Sequence, residues 1–410
     1  MRLAIRNAEA IVTCAANGRP YKRGHEMDEV GVLHDVNVLI DNGKIAAIGR
    51  NIADADCDSL DASGKIVIPG FVDPHTHLIF AGTREHEFAL RANGATYEEI
   101  AARGGGILET VRATRDMPKS KLRAIADRRI DKFLSNGTTT IEIKSGYGLD
   151  FKNELKILEA ANELKEDSVA EIVITFLGAH AIPPEFKNDR AGYIRCVTEE
   201  MIPYVARRKL AEFCDVFCDN GFFNVSEAER ILKSAKDHGL KIKIHADELS
   251  ANGGVTLATE LGAVSADHLE NISREEMKSL GKSETVGVVL PAVAAYLRTK
   301  PAPTREMIDN NCVVAIATDF NPGTSMIDNM RATMWLAITL NGMTAEEALN
   351  AATINAAAAL GISDRLGSIE VGKQADMLVI DAHDYSYIPY HFTENRIHRV
   401  IKNGTVLEFP

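Results

Sequence analysis

The chain has 410 residues, a formal net charge of −12 at pH 7, and a composition of 45% hydrophobic and 25% charged residues. This length predicts more than one structural unit, and the composition is typical of a globular protein. No run approaches the roughly 18 apolar residues that a membrane span needs. An acidic chain without a basic stripe is repelled by phosphate backbones, so we expect neither a membrane nor a nucleic-acid partner.

Strand patterns dominate residues 1–65. The start, MRLAIRNAEAIVT, alternates apolar and polar residues and lacks the apolar segment and cleavage site of a secretory leader, which predicts a mature cytoplasmic protein. VNVLI, DNGK and IAAIG then predict a β-hairpin with a tight turn, and KIVIP predicts a further strand.

Residues 66–365 alternate short apolar runs with helical stretches, a pattern typical of βα units around a parallel sheet. The eight candidate strands are GFVDPHTHLIF, TTTIEIK, EIVITFLGAH, FCDVFCD, KIKIHAD, VSADHLE, TVGVVLP and VVAIATDF. Eight such units favour a closed (β/α)8 barrel. An open doubly wound sheet usually carries a glycine-rich phosphate loop after its first strand, and none is seen there.

Residues 366–410 return to strand patterns in SIEVG, ADMLVID and RVIKNGTVLEF, the last with Asn403-Gly404 as a hairpin turn. Neither end of the chain supplies enough strands for a stable sheet of its own. We therefore predict that residues 1–65 and 366–410 form one small composite β-sandwich domain beside the barrel of residues 66–365.

Polar residues close several of the candidate strands, at the end of the barrel where active sites lie in this architecture. Strand one ends in Asp73-Pro74-His75-Thr76-His77, where alternation places both imidazoles on the inward face, about 6–7 Å apart. His245 closes strand five, Asp267-His268 strand six, and Asp319 strand eight. Three imidazoles and one carboxylate are ligands that suit Zn²⁺ or Fe²⁺ and leave a position for water.

The string PGFVDPHTH resembles the first-strand signature of the amidohydrolase superfamily, and the flanking β-segments resemble its composite sandwich domain. The resemblance implies that His75, His77, His245 and Asp319 are metal ligands. Binuclear members carry a carboxylated lysine on strand four or a glutamate on an earlier strand. Strand four here, FCDVFCD, has no lysine, and Lys144 closes strand two instead, so we expect one Zn²⁺ or Fe ion per chain.

Further strings narrow this resemblance to the branch of the superfamily that opens a cyclic amide in histidine degradation. They are HTHLIFAGTRE, KSGYGL, FLGAHAIPPE, HADELS, ADHLE and ATDFNPGTS. The resemblance implies a small-molecule substrate, 4-imidazolone-5-propanoate, which is hydrolysed to N-formimino-L-glutamate.

The same resemblance suggests a role for each polar residue of the expected site. Asp319 would ligate the metal and accept the proton of water, and His268 would stabilise the tetrahedral oxyanion. Glu248, three residues after His245, would contact the ring nitrogen and shuttle a proton.

The substrate's propionate needs a cation when it is buried, and Arg84, just past strand one, suits this best. The resemblance implies that Tyr147, His180 and Glu248 also contact the substrate, with Tyr97 as a weaker addition. It further implies that Asn321, Gly323 and Thr324 help to hold substrate or product.

Two alternative functions and the identity of the metal stay open at this stage. A mononuclear nucleobase deaminase of the same superfamily shares the HxH pair, Glu248 and His268, and a metal-free binding protein could use the same barrel. Zn²⁺ and Fe²⁺ suit this ligand set equally. We expect a homodimer, the commonest assembly of soluble oligomers.

Overall fold

The structure is a computed structural model that describes residues 2–52, 57–95, 99 and 105–409. Its strands, in chain order, are β1 (Arg2–Arg6), β2 (Ala10–Val12), β3 (Val32–Leu33), β4 (Asn37–Asp41), β5 (Lys44–Gly49), β6 (Asp58–Asp61), β7 (Ile66–Pro69), β8 (Phe71–Asp73), β9 (Thr138–Lys144), β10 (Glu171–Ala179), β11 (Phe213–Cys218), β12 (Lys241–Ala246), β13 (Ser265–His268), β14 (Val286–Val289), β15 (Val314–Ile316), β16 (Met377–Ile380), β17 (Ile397–Lys402) and β18 (Thr405–Leu407).

The α-helices lie mostly between the strands of the middle region. They are α1 (Glu85–Ala92), α2 (Ile107–Asp116), α3 (Lys119–Ser135), α4 (Phe151–Asp167), α5 (Arg190–Arg195), α6 (Ile202–Arg208), α7 (Val225–Asp237), α8 (Gly254–Leu261), α9 (Arg274–Leu280), α10 (Pro291–Leu297), α11 (Thr304–Asp309), α12 (Met330–Asn341), α13 (Ala345–Ala351), α14 (Ile354–Ala359) and α15 (Tyr387–Tyr390). Within the described ranges, each helix is too short or too polar to cross a bilayer.

Strands β8 to β15 form one parallel sheet in which each strand pairs with the next along the chain. The first and last strands meet just beyond their carboxyl ends, where Thr76 pairs with Phe320. There His77 N donates to Phe320 O at 3.0 Å and Asp319 N donates to His75 O at 3.1 Å. The predicted (β/α)8 barrel is confirmed, and its seam runs through the segments that carry three of the predicted ligands.

Helix α7 illustrates how the outer layer is specified by the sequence. Its buried residues Ala228, Ile231, Leu232 and Ala235 follow the i, i+3, i+4, i+7 spacing of one helical face. Asn224 caps the helix by accepting from Glu227 N, and the Glu227 carboxylate accepts from Asn224 N in return. The apolar face packs on β11 and β12, which positions the loops above them.

Both ends of the chain form antiparallel hairpins. Strands β4 and β5 pair around Asn42-Gly43, and β17 and β18 pair around Asn403-Gly404. All four turn residues have positive φ, the conformation that Asn-Gly turns supply. The two predicted hairpins are confirmed, whereas the segment 368–372, predicted as a strand, has no strand structure.

Strands outside the barrel make two small sheets, ordered β5-β4-β1-β6 and β18-β17-β16-β7-β2-β3. The second sheet joins both chain ends, because β7 pairs with β16 on one side and with β2 on the other. Side chains from both sheets share one apolar cluster that includes Ile5, Ile40, Val67, Met377 and Ile401. The exact division of the chain into two domains stays a prediction.

Candidate active site

Four predicted ligands converge at the carboxyl ends of the barrel strands. His75 and His77 follow β8, His245 lies in β12 and Asp319 follows β15. The Asp319 Oδ1 atom lies 3.5 Å from both His75 Nε2 and His77 Nε2. The ring of His245 lies 4.6 Å from that of His75 and 5.6 Å from that of His77, measured between centroids.

Several polar atoms of this group are buried without a hydrogen-bond partner in the described part of the chain. They include His75 Nε2, His245 Nε2 and Asp319 Oδ1. Buried polar atoms are normally satisfied, so three orphaned donor or acceptor atoms facing one space indicate a missing partner. Imidazole nitrogen and carboxylate oxygen are the donor set of a Zn²⁺ or Fe²⁺ site, and these residues therefore fit a metal ion.

Both histidines of the HxH pair are held as neutral rings, the form that binds a metal. Burial lowers the pKa of His75 well below its usual value, and Lys144 lowers it further. Burial and then His180 lower the pKa of His77 in the same way.

Two aspartates that the sequence did not single out as functional contact the outer nitrogens of the ligand rings. Asp267 Oδ2 lies 2.7 Å from His75 Nδ1 in a hydrogen bond, and Asp215 Oδ2 lies 3.0 Å from His245 Nδ1. Asp267 lies beside His268 in the predicted strand six, but only the folded barrel shows that it faces His75. The bond to Asp267 leaves the lone pair of His75 on Nε2, toward the site, while Asp215 contacts Nδ1 of His245 as an ion-pair partner.

Beside the ligands, His268 and Glu248 form a polar pair at the mouths of β13 and β12. His268 Nε2 lies 3.6 Å from Glu248 Oε2, and His268 Nδ1 lies 3.8 Å from Glu270 Oε2. Burial acts to lower the pKa of His268, but the surrounding carboxylates Glu248, Glu270 and Asp319 outweigh it and raise that pKa to about 10. Burial, followed by repulsion from Glu270 and Asp319, raises the pKa of Glu248 to about 8 despite the opposing effect of His268.

The backbone is strained at two of these positions. His268 has φ of 85° and Asp319 has φ of 50°, values that residues other than glycine rarely adopt. Such conformations persist where the surrounding structure enforces them, and they are concentrated at functional sites. The strain therefore falls on a predicted metal ligand, Asp319, and on His268 beside the predicted ligands.

Three of the predicted ligands, His77, His245 and Asp319, open onto a cavity of about 540 Å³ together with His268 and Glu248. Its wall combines rings with charged groups; Tyr147, His180, Phe217, Glu248, Arg84 and Arg91 are among its lining residues. Phe217 and Phe222 stack with their centroids 3.9 Å apart. An apolar cleft with a few convergent polar groups is typical of a small-molecule site.

Arg84 lies in this wall and is held by a glutamate of the same segment. Its Nε and Nη2 atoms donate to Glu87 Oε2 at 3.0 and 2.7 Å. Burial raises the pKa of Glu87, but its bond to Arg84 and one from Gly106 N lower it overall. Arg91 Nη1 lies 3.8 Å from the same carboxylate oxygen, and Arg91 Nη2 donates to Gly323 O at 2.8 Å. Two arginines of the cavity wall thus contact the same carboxylate.

The predicted residues Asn321, Gly323 and Thr324 form a tight loop after β15. Asn321 Oδ1 accepts from Gly323 N and Thr324 N, both at 2.8 Å, and its Nδ2 donates to Asp319 O and Thr324 Oγ1, both at 2.7 Å. Thr324 Oγ1 donates to Asp319 Oδ2 at 3.2 Å. The loop therefore engages one oxygen of Asp319 and leaves Oδ1 toward the histidines.

Tyr147 and His180 lie on neighbouring loops at the ends of β9 and β10. The ring of His180 stacks on that of His77 at 4.9 Å, and its Nδ1 contacts Gly146 O at 3.0 Å. Burial and the nearby His245 lower the pKa of His180 to about 3. The ring of Tyr147 lies 5.6 Å from that of His77. The remaining predicted contact, Tyr97, lies outside the described residues.

Comparison with known proteins gives one family and many close relatives. The amidohydrolase family model matches residues 66–407. Imidazolonepropionase of Geobacillus thermodenitrificans is 47% identical over 413 aligned positions, covering 99% of this chain and 97% of that protein. Imidazolonepropionase of Thermoanaerobacter pseudethanolicus is 46% identical, covering 93% of this chain and 92% of that protein.

Solved structures support the same fold at lower sequence similarity. Triazine hydrolase from Arthrobacter aurescens superposes with a TM-score of 0.76 at 19% identity, covering 99% of this chain and 94% of that one. The zinc complex of atrazine chlorohydrolase from Arthrobacter aurescens TC1 gives a TM-score of 0.72 at 19% identity, covering 99% and 95%.

Proposed function

The chain belongs to the amidohydrolase family, and within it to the imidazolonepropionases, and from this premise we propose that it hydrolyses 4-imidazolone-5-propanoate to N-formimino-L-glutamate. Water adds across the ring amide: its oxygen bonds to the carbonyl carbon, the bond from that carbon to the ring nitrogen breaks, and the nitrogen takes a proton. The observation that carries the proposal is a cavity lined by His245 and Asp319, which have buried polar atoms without a hydrogen-bond partner in the described residues, and by two arginines.

We propose that His75, His77, His245 and Asp319 hold one Zn²⁺ or Fe²⁺ ion. The orphaned Nε2 atoms of His75 and His245 and the Oδ1 atom of Asp319 support this ligand set. Bound there, such an ion supplies Lewis acidity that lowers the pKa of a water toward about 7.

Asp319 is suited to accept the proton of the attacking water. Its carboxyl group is buried, and burial raises its pKa, although His268 and His245 oppose the shift. A raised pKa makes a carboxylate a stronger base. Thr324 donates to the Asp319 carboxylate and Asn321 donates to the Asp319 backbone carbonyl, so the side chain is oriented before the substrate arrives.

His268 and Glu248 are suited to two further tasks, stabilising the oxyanion and protonating the leaving nitrogen. A pKa of about 10 keeps His268 protonated near neutral pH, so it can donate to an oxyanion that forms on the ring carbonyl. A pKa of about 8 keeps much of Glu248 protonated, so it can give a proton to the departing ring nitrogen.

Arg84, in the wall of the cavity, is suited to bind the propionate. Two of its nitrogens donate to Glu87, and its third nitrogen, Nη1, lies against Gly323 at the cavity wall. A substrate carboxylate at this wall would meet the buried guanidinium of Arg84, and a charge-assisted bond of this kind is strong. Tyr147 and His180 then enclose the imidazolone ring from the side of β9 and β10.

Ring opening can be followed by the loss of the imidazolone's ultraviolet absorbance. We expect turnover by the wild-type protein and its loss in His75→Ala and His245→Ala, both of which should also lose bound metal. Full activity after exhaustive chelation, with no metal in the protein, would contradict the proposed site. We further propose that the active protein is a cytoplasmic homodimer. Light scattering at several protein concentrations measures the molecular mass and so tests the dimer.

A further inference from the structure

Beneath the ligand histidines lies a cluster of five charged side chains, which we call the buried charge cluster. All five side chains are fully buried. Its members are Glu142, Lys144, Asp215, Lys243 and Asp267, on β9, β11, β12 and β13.

Lys144 lies at the centre of this cluster. Its Nζ atom lies 2.7 Å from Asp215 Oδ2, 3.0 Å from Glu142 Oε2 and 3.4 Å from Asp267 Oδ2. Lys243 lies to one side, where its Nζ contacts Glu142 Oε1 at 2.9 Å and Pro74 O at 2.8 Å.

The two aspartates that meet Lys144 are also the two that meet the metal-ligand rings, and the same oxygen makes both contacts. Asp267 Oδ2 touches Lys144 and His75 Nδ1, and Asp215 Oδ2 touches Lys144 and His245 Nδ1. One ammonium group therefore links the outer nitrogens of two predicted ligands, His245 in β12 and His75 just after β8.

Placing five charges in a dry interior is costly unless each is paired, and removing one partner of such a cluster leaves an uncompensated charge. Apolar residues of similar volume are often at least as stabilising as a buried ion pair. A contribution to folding stability therefore does not explain well why the buried charge cluster is present. Its contacts to the rings of His75 and His245 give it a direct effect on the site. Carboxylates at the outer nitrogen of a ligand histidine fix the tautomer and orientation of the ring.

We propose that Lys144 is a positioning residue that holds Asp215 and Asp267 so that His245 and His75 both present Nε2 to the metal. This inference rests on the metal site of the proposed function. It also gives Lys144 a role different from that of a carboxylated bridging lysine. A carbamate on its Nζ would place a new negative charge among three carboxylates. Burial acts to lower the pKa of Lys144, but those carboxylates raise it overall and keep the side chain an ammonium.

The test compares Lys144→Met with a matched variant, Lys402→Met, in the full chain. Lys402 is also a buried lysine in an ion pair, 2.6 Å from Asp376 Oδ2, but it lies in the small six-stranded sheet away from the cavity. Zinc affinity is measured by competition with a chromophoric chelator. Ring geometry is followed by the visible spectrum of the cobalt-substituted protein.

We expect Lys144→Met to bind zinc about 10- to 100-fold more weakly, as other losses of outer ligand contacts do. Its cobalt spectrum should also shift, whereas Lys402→Met should match wild type in both measurements. Unchanged zinc affinity in a folded Lys144→Met protein would overturn the positioning role. A wild-type protein that binds no zinc or iron would overturn the metal site itself, and this inference with it.

A second variant decides the question if Lys144→Met does not fold. Asp267→Asn keeps the shape of the side chain and removes its charge, and it should weaken zinc binding by about 10-fold or more. Wild-type affinity and an unchanged cobalt spectrum in Asp267→Asn would then overturn the proposal.

Discussion

A methyl group added at Gly323 would lie 2.3 Å from Nη1 of Arg84 and 2.8 Å from its Cζ. The guanidinium cannot simply move away, because two of its nitrogens are bonded to Glu87. Gly323 therefore provides the space that Arg84 occupies at the cavity wall, and its carbonyl also accepts from Arg91.

Gly323→Ala should therefore act as a substrate-binding variant. Displacing Arg84 disturbs a charge-assisted contact worth roughly 1.5–3 kcal/mol, so we expect KM to rise about 10-fold or more, with a smaller change in kcat. Steady-state kinetics measure both constants. Gly49→Ala in β5 is the control, since the added methyl group would lie an ordinary 3.9 Å from its nearest neighbour, Cγ2 of Ile52. Equal KM values in Gly323→Ala and wild type would show that this contact is unimportant.

Arg84→Ala should lower kcat/KM by about ten- to a few hundred-fold, because it removes the proposed partner of the propionate. Metal content should stay at the wild-type level, since Arg84 is not among the ligand side chains. Kinetics and elemental analysis of the same preparation separate the two effects. An unchanged kcat/KM would refute the anchoring role.

Glu248→Gln should depress mainly kcat. Proton delivery to the leaving nitrogen is needed in the transition state more than in binding, and such an acid contributes typically about 10²- to 10⁴-fold. The exposed Glu260, changed to Gln, serves as the control. A variant whose kcat matches wild type would remove Glu248 from the proton chemistry.

Glu154→Gln should loosen the loop that carries Tyr147. The Glu154 carboxylate accepts from the backbone N–H groups of Gly146, Gly148 and Leu149 at 2.6–3.0 Å. An amide presents only one acceptor oxygen, so we expect a loss of about 1–3 kcal/mol in the free energy of unfolding. Urea denaturation measures this, with the exposed Glu166→Gln on the same helix as the control. Equal stability of the two variants would contradict this role.

A shortened chain of residues 66–365 should be markedly less stable than the full protein. Strand β7 would lose β2 on one side and β16 on the other, and its apolar side chains would be exposed. Thermal unfolding compares the two chains. Cooperative unfolding of the shortened chain at the temperature of the full chain would refute the composite-domain prediction.

Local patterns were sufficient to predict the barrel and the convergence of the four predicted ligands. Alternation along a strand places His75 and His77 on one face, and parallel strands bring His245 and Asp319 to the same end of the barrel. The Asn-Gly turns are equally local, because their positive φ values suit those residues.

Contacts between distant strands could not be predicted in this way. The pairing of Asp215 with His245, and of Asp267 with His75, depends on side-chain directions that only the closed barrel sets. Lys144 was considered only as a possible bridging lysine, and nothing in its sequence neighbourhood indicates that it meets Asp215 and Asp267.

In the sequence, Ser226 opens the helical stretch SEAERILKSAKDHG and is a plausible N-cap, but Asn224 caps helix α7 in the structure. Asn224 is favoured because Glu227, three residues later, completes a reciprocal capping box with it. Weighing that glutamate would have located the cap from sequence alone.

The most direct test of the proposed function is the reaction of the purified wild-type protein with 4-imidazolone-5-propanoate. We expect loss of the imidazolone's ultraviolet absorbance, with one N-formimino-L-glutamate formed for each substrate consumed and no ammonia released. Release of ammonia from a purine or pyrimidine, with the imidazolone left untouched, would contradict it and would identify the protein as a deaminase of the same family.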